Sequence, residues 1–185
     1  MADAAEQDLE VDAFLAWAEG RQRRWELRNG RPHMMAPERA LHALTKLAAQ
    51  IALKGAVGRA GLPCVVFPDG MTVRISARTA FEPDALVVCP APRDLATMEI
   101  PNPVIVVEVL SPSTAADDHG LKLDGYLSLS SVEHYLILDP DRRVMIHHKK
   151  GQAGAIETRV LREGEVRLDP PGLEAAVADF FAGEG

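Results

Sequence analysis

VIVVEVL, residues 104–110, holds six apolar side chains and one glutamate, and its reading decides the fold. DALVVC, residues 84–89, is a second run of the same kind. Short, nearly all-apolar runs are what strands covered on both faces look like. Two such strands at the centre predict an α/β (α+β-like) architecture, a mixed β-sheet flanked by helices. At 185 residues the chain is long enough for one real core and too short for two, so residues 1–185 are expected to form a single domain.

Upstream of these strands, Val11, Phe14, Leu15 and Ala18 lie at helical spacing, and Gly20 closes that segment. RWELRNGRPHMM (24–35) flanks Asn29-Gly30, the preferred pair for a type I′ turn, and predicts a hairpin. A helix is expected from Glu38 to about Arg59, with Leu41, Leu44, Ala48 and Ile51 in one apolar stripe. CVVF (64–67) and MTVRIS (71–76) follow as strands joined by Pro68-Asp69-Gly70.

Downstream, Ser113 or Thr114 caps a helix reaching Leu129, with Leu121, Leu123, Tyr126 and Leu127 as buried candidates. HYLILD (134–139) and RVMIHHKK (143–150) suggest a hairpin around Pro140-Asp141. Ile156–Leu161 and Val166–Leu168 are expected to pair as strands, and Leu173–Phe181 to form a short C-terminal helix.

Composition narrows the function. Apolar residues at 47% and charged residues at 25% are ordinary for a globular protein. No apolar run approaches the roughly 20 residues that span a bilayer. MADAAEQDLEVDAF is acidic where a secretory signal would be basic, so a cytoplasmic location is expected and no membrane partner. Cys64 and Cys89 sit in separate strand-like runs with no CxxC spacing, and are read as buried free thiols. His147 and His148 would point to opposite faces of a strand and could not share a metal. A net charge of −7 argues against a protein that coats nucleic acid electrostatically. It leaves room for an enzyme that grips nucleic acid locally. Arg21, Arg23 and Arg24 form one basic patch, and Arg142, Arg143 and His147–Lys150 another; either patch serves equally as solvated surface.

Four residues stand out against a purely structural reading. Glu108 is embedded in VIVVEVL, where an ionised carboxylate costs several kcal/mol unless paired, hydrogen-bonded or metal-bound. Asp84 opens the other apolar run, and if the two runs are neighbouring strands their carboxylates converge. Hard cations such as Mg²⁺ take oxygen ligands of this kind. Lys122, in HGLKLDGY, either is a solvated helix lysine or delivers an ammonium to that site. Glu26 either completes the metal shell or pairs across its hairpin. His42, at the head of the long helix, is read as a surface histidine in preference to a phosphate contact.

The succession WELRNGRPHMMAP, EPDALVV, VIVVEVLSPST, KLDGY and VEHYLILDP resembles the Uma2 family, within the PD-(D/E)XK restriction-endonuclease-like superfamily, over about Trp25 to Asp139. The resemblance implies a mixed sheet flanked by helices. It matches Asp84 to the PD aspartate, Glu108 to the acidic residue of (D/E)XK, and Glu26 to an early acidic residue. The motif lysine is replaced by Leu110, and Lys122 on the next helix is the candidate substitute.

The expected function is a Mg²⁺- or Mn²⁺-dependent endonuclease acting on nucleic acid, DNA in the first instance. Asp84 and Glu108 would bind metal, with Lys122 and Glu26 completing the catalytic set. The alternative is a catalytically inactive binding or regulatory module on the same fold, and the reach of Lys122 toward the site separates the two. A serine or cysteine hydrolase lacks support, since Ser111 and Ser113 have no GxSxG turn. The mixed charge leaves room for a homodimer.

Overall fold

The computed structural model describes residues 8–111 and 116–183. The two apolar runs are neighbouring strands at the centre of a six-stranded sheet. β6 (Ala85–Val88) is buried at every position, and β7 (Pro103–Val109) at every position but Val104. They pair antiparallel, Ala85 opposite Val107. β3 (Val65–Pro68) flanks β6. On the other side, β8 (His134–Asp139), β9 (Val144–Lys150) and β10 (Ile156–Leu161) complete the order β10-β9-β8-β7-β6-β3. Only β7 and β8 run parallel among these neighbours. A parallel pair needs a crossover, and α3 (Ala116–Ser128) supplies it.

Side chains alternate across the sheet. Ala85, Val87, Ile105 and Val107 pack beneath α2 (Ala40–Ala60), on Ala49, Ala52, Leu53 and Ala56. Leu86, Val106, Tyr135 and Ile137 face Tyr126 of α3 and Phe81. Glu108 has the parity of the second set, which directs it toward α3.

A second sheet lies against α3. It holds β1 (Trp25–Arg28), β2 (Arg31–Met34), β4 (Val73–Ser76) and β5 (Thr79–Phe81), in the order β2-β1-β5-β4. The β1–β2 turn has Asn29 at φ 49° and Gly30 at φ 84°, as a type I′ hairpin requires. α1 (Val11–Ala18) buries Val11 and Phe14 on Leu27. Gly125 lets α3 approach closely, since a Cβ there would lie 2.7 Å from a Phe81 ring carbon. Among the described residues, no helix is long and apolar enough to cross a membrane.

Several expectations are corrected. Cys64 and Cys89 are joined in a disulfide, Cα–Cα 4.3 Å. Antiparallel pairing of Val65 with Val88 sets the two cysteines opposite each other, a relation two separate runs do not reveal. Ile156–Leu161 pairs with β9. The pairing partner of β11 (Glu165–Leu168) is β12 (Leu173–Ala176), in the segment expected to be helical; only a short 3₁₀ turn, Val177–Phe180, follows. Alanine-rich helix propensity there yields to burial of Val166, Leu168, Leu173 and Phe180 in the core shared with α2. The stripe Leu41, Leu44 and Ile51 is exposed, and α2 turns its alanine face inward. The cap expected at Ser113 or Thr114 lies outside the described residues.

Candidate active site

β7 and the segment leading into β6 bring Glu108 and Asp84 to one cleft of about 290 Å³, lined also by Glu26, Glu38, His42 and Lys122. Asp84 is fixed from its backbone outward. Its N–H donates to Val107 O at 3.0 Å, and its Oδ2 accepts from the Val109 N–H at 2.7 Å. One carboxylate is thereby locked to the strand that carries the other.

α3 delivers Lys122 into the same place. Its Nζ lies 2.9 Å from Glu108 Oε1 and 2.9 Å from Glu26 Oε1. Tyr126, one turn further on, donates its hydroxyl to Glu108 Oε1 at 2.8 Å. Arg28 holds the other Glu26 oxygen at 2.7 Å, and the Glu82 N–H donates to Glu26 Oε1 at 3.3 Å. Glu26, Asp84, Glu108 and Lys122 are all buried.

Burial sets the titration. It raises Asp84 to about 6, against the opposing pull of the Val109 N–H and of Lys46. It raises Glu108 to about 7, although Lys122 pulls the other way. Burial also lifts Glu26, but Lys122 and Arg28 hold it below its ordinary value. The same burial disfavours the Lys122 ammonium, and its two carboxylate partners more than reverse that. The site therefore keeps a firmly charged lysine beside two carboxyls poised near neutrality.

The first half of α2 forms the opposite wall. Glu38 precedes the helix, and His42, Lys46 and Gln50 follow at intervals of four, so all four face Asp84. His42 Nε2 is 3.7 Å from Asp84 Oδ2, Lys46 Nζ is 3.8 Å from Asp84 Oδ1, and Gln50 donates to the Asp84 carbonyl at 3.1 Å. His42 is half-buried rather than a surface residue, and burial lowers its pKa. Its Nε2 lies 3.0 Å from Val109 O, which can only accept, so Nε2 carries the proton. Nδ1 then bears a lone pair, buried and, among the described residues, without a hydrogen-bond partner, 3.9 Å from Glu38 Oε2.

Glu38, His42 and Asp84 offer ligand atoms within 4.8 Å of one another. Oxygen donors with one imidazole suit a hard divalent cation. Sequence reasoning overlooked Glu38 and Lys46; the four-residue spacing from Glu38 to Gln50 was the available signal. It placed Arg24 in a basic patch, but Arg24 is spent on Glu82 at 2.6 Å and Asp69 at 2.5 Å. The second patch divides as well, because His147 bonds His134 at 2.8 Å while His148 bonds Thr158 from the other face.

A model of the Uma2 family, described as "Putative restriction endonuclease", matches residues 11–179. An uncharacterized protein of Synechocystis sp. is 25% identical over 178 residues, covering 95% of this chain and 92% of that protein. Another from the same organism is 30% identical over 88 residues, 46% of this chain and 50% of that one. A crystal structure from Anabaena variabilis, described as "a putative nuclease belonging to DUF820", superposes with TM-score 0.76 at 17% identity, over 94% of this chain and 97% of that one. At that identity the likeness is one of fold.

Proposed function

The chain belongs to the Uma2 family, and from that premise we propose that it is a Mg²⁺- or Mn²⁺-dependent endonuclease that hydrolyses phosphodiester bonds in DNA. One observation carries the reading: Lys122, from the helix after β7, reaches Glu108 and Glu26 at 2.9 Å, which supports its serving in place of the motif lysine that Leu110 replaces. We take residues 1–185 as one domain, because the site draws on elements from β1 to α3.

Asp84 and Glu108 are the metal ligands in this reading, with Glu38 and the free Nδ1 of His42 beside them. The fit is chemical, since buried carboxyls raised to about 6 and about 7 gain most from a neighbouring cation. When bound, such an ion polarises a phosphoryl oxygen and lowers the pKa of water. The protein's own groups do the rest. Lys122 stays charged and offers its ammonium protons to an attacking water or to developing phosphoryl charge. Glu26, ionised and gripped by Arg28, aims Lys122. Tyr126 and the Val109 N–H hold Glu108 and Asp84 in fixed orientation, so little reorganisation is left for the reaction.

A binding module without cleavage is the second reading, favoured by the engagement of Glu108 with both Lys122 and Tyr126. The test incubates the protein with supercoiled, linear and single-stranded DNA in Mg²⁺ or Mn²⁺, beside Asp84→Ala and Lys122→Ala. Metal-dependent cleavage lost in both variants supports the nuclease. Cleavage that survives Asp84→Ala overturns the site, and inactivity of the wild type on every substrate favours the module.

A further inference from the structure

α2 is apolar on two opposite sides. Ala49, Ala52, Leu53 and Ala56 are buried on the sheet. Leu41, Leu44, Leu47 and Ile51 are 42%, 53%, 52% and 62% exposed, and nothing among the described residues covers them. An apolar helix face of this size is normally covered.

The exposed side is patterned. Leu41, Leu44, Ala48, Ile51, Gly55 and Gly58 succeed one another at alternating intervals of three and four residues. That 3.5-residue period is the seam one helix presents to another. Gly55 and Gly58 are costly choices in a helix, since glycine is the poorest ordinary helix former. No contact within the described residues accounts for them. A Cβ at Gly58 would meet nothing within 4 Å, and one at Gly55 only the tip of Arg59. A second helix at about 8 Å, the near limit for packed helices, accounts for both.

We propose that this seam pairs with the same seam of a second copy, α2 against α2 about a two-fold axis between Ala48 and Ile51, which sets Leu41 and Leu44 against the partner's Gly58 and Gly55. An identical stripe supplies the matching period and the matching small residues, as a self-complementary contact requires. The helices run antiparallel, because a parallel pair would set Lys54 of each copy against the partner's Arg59, two like charges, along both flanks of the seam. From Leu41 to Gly58 the stripe is about 26 Å long on a helix about 10 Å across. That footprint is well short of the roughly 800 Å² each partner contributes to a standard interface. Each copy also carries −7. The dimer is accordingly weak and reversible. This pairing does not depend on the nuclease reading, and its test uses neither DNA nor metal.

Sedimentation velocity from low to several hundred micromolar protein reads the association directly. The wild type is expected to move from 20.0 kDa toward twice that mass. Leu44→Glu and Ile51→Glu, both at exposed positions, should each weaken association at least about tenfold by burying unpaired carboxylates. Their circular-dichroism melting should be unchanged. Ala48→Cys should cross-link to a covalent dimer under mild oxidation, the native cysteines being joined to each other. A wild type that stays monomeric throughout overturns the proposal and leaves a different protein, or another segment of this chain, as the occupant. Dimerisation indifferent to both glutamate variants overturns it equally.

Discussion

Lys122 is the position at which the structure makes its most exposed commitment. Replacing it with methionine keeps the volume and removes the charge. Two charge-assisted hydrogen bonds of 2.9 Å disappear, leaving Glu26 and Glu108 buried without their shared cation. Such bonds are each worth about 1.5–3 kcal/mol, and breaking a buried ion pair from one side costs about 3–5 kcal/mol. The metal-free protein should therefore lose about 4 kcal/mol at pH 8. Its melting point should fall by about 8–16 °C in a chain of this size.

The loss should depend on pH in a definite direction. Glu108 has a folded-state pKa of about 7 against an ordinary 4.5, and removing Lys122 raises it further. A carboxyl raised by folding binds its proton more tightly in the native state, so stability falls as pH rises through that window. At pH 5.5 Glu108 is already protonated in the variant, and the penalty should shrink to about 2 kcal/mol. Glu108→Gln in the Lys122→Met background should recover part of the loss at pH 8. Urea denaturation in chelator at both pH values measures all of this. A loss below about 1 kcal/mol, or one equal at both pH values, refutes the reasoning.

His134 and His147 are both lowered to about 4, chiefly by burial, so they stabilise the fold fully above the ordinary histidine value near 6.5 and progressively less as pH falls toward 4. Stability should drop by on the order of 4 kcal/mol between pH 7 and pH 5, about 2 kcal/mol for each, as both charge in the unfolded chain; a drop unaltered in His147→Leu would exclude that histidine as a source. Reducing the Cys64–Cys89 bridge, which closes 25 residues, should cost about 3 kcal/mol in denaturant titrations with and without dithiothreitol. Gly125→Ala should destabilise by about 1–3 kcal/mol, because its methyl meets Phe81 and Ile75. Gly120→Ala, in open space on the same helix, should stabilise by about 0.4–1 kcal/mol. Equal melting shifts for the two glycine variants would contradict the close approach of α3.

The centre of the fold was legible because its strands are apolar on both faces. Their shared polar exceptions, Asp84 and Glu108, could not be explained by solvation. Asn29-Gly30 announced its own turn. What stayed hidden depends on pairing at a distance. Nothing local marks Thr79–Phe81 as a strand, since its three residues matter only beside Leu27 and Val73. The disulfide follows from a register between β3 and β6. LEAAVADFF reads as helix by composition, and its first four residues become strand because Glu165–Leu168 is there to receive them. In the site, Lys122 was visible as an oddity. The wall of Glu38, His42, Lys46 and Gln50 was masked by a leucine stripe on the same helix that drew attention to the wrong side.

That helix serves three directions at once, and its length is constrained accordingly. Each inserted residue turns everything after it by about 100°. An insertion between His42 and Lys46 would swing Lys46 away from Asp69, whose Oδ2 it bonds at 2.7 Å, and Gln50 off the Asp84 carbonyl. It would also rotate Ala49, Leu53 and Ala56 out from under the sheet. Insertions and deletions are therefore forbidden along α2, whereas the loop between β6 and β7 can change length at its exposed residues 93–96, ahead of the buried Ile100, without turning a single site residue. Divergent copies of this fold should differ in length at that loop and keep the count of residues from Glu38 to Ala56 unchanged.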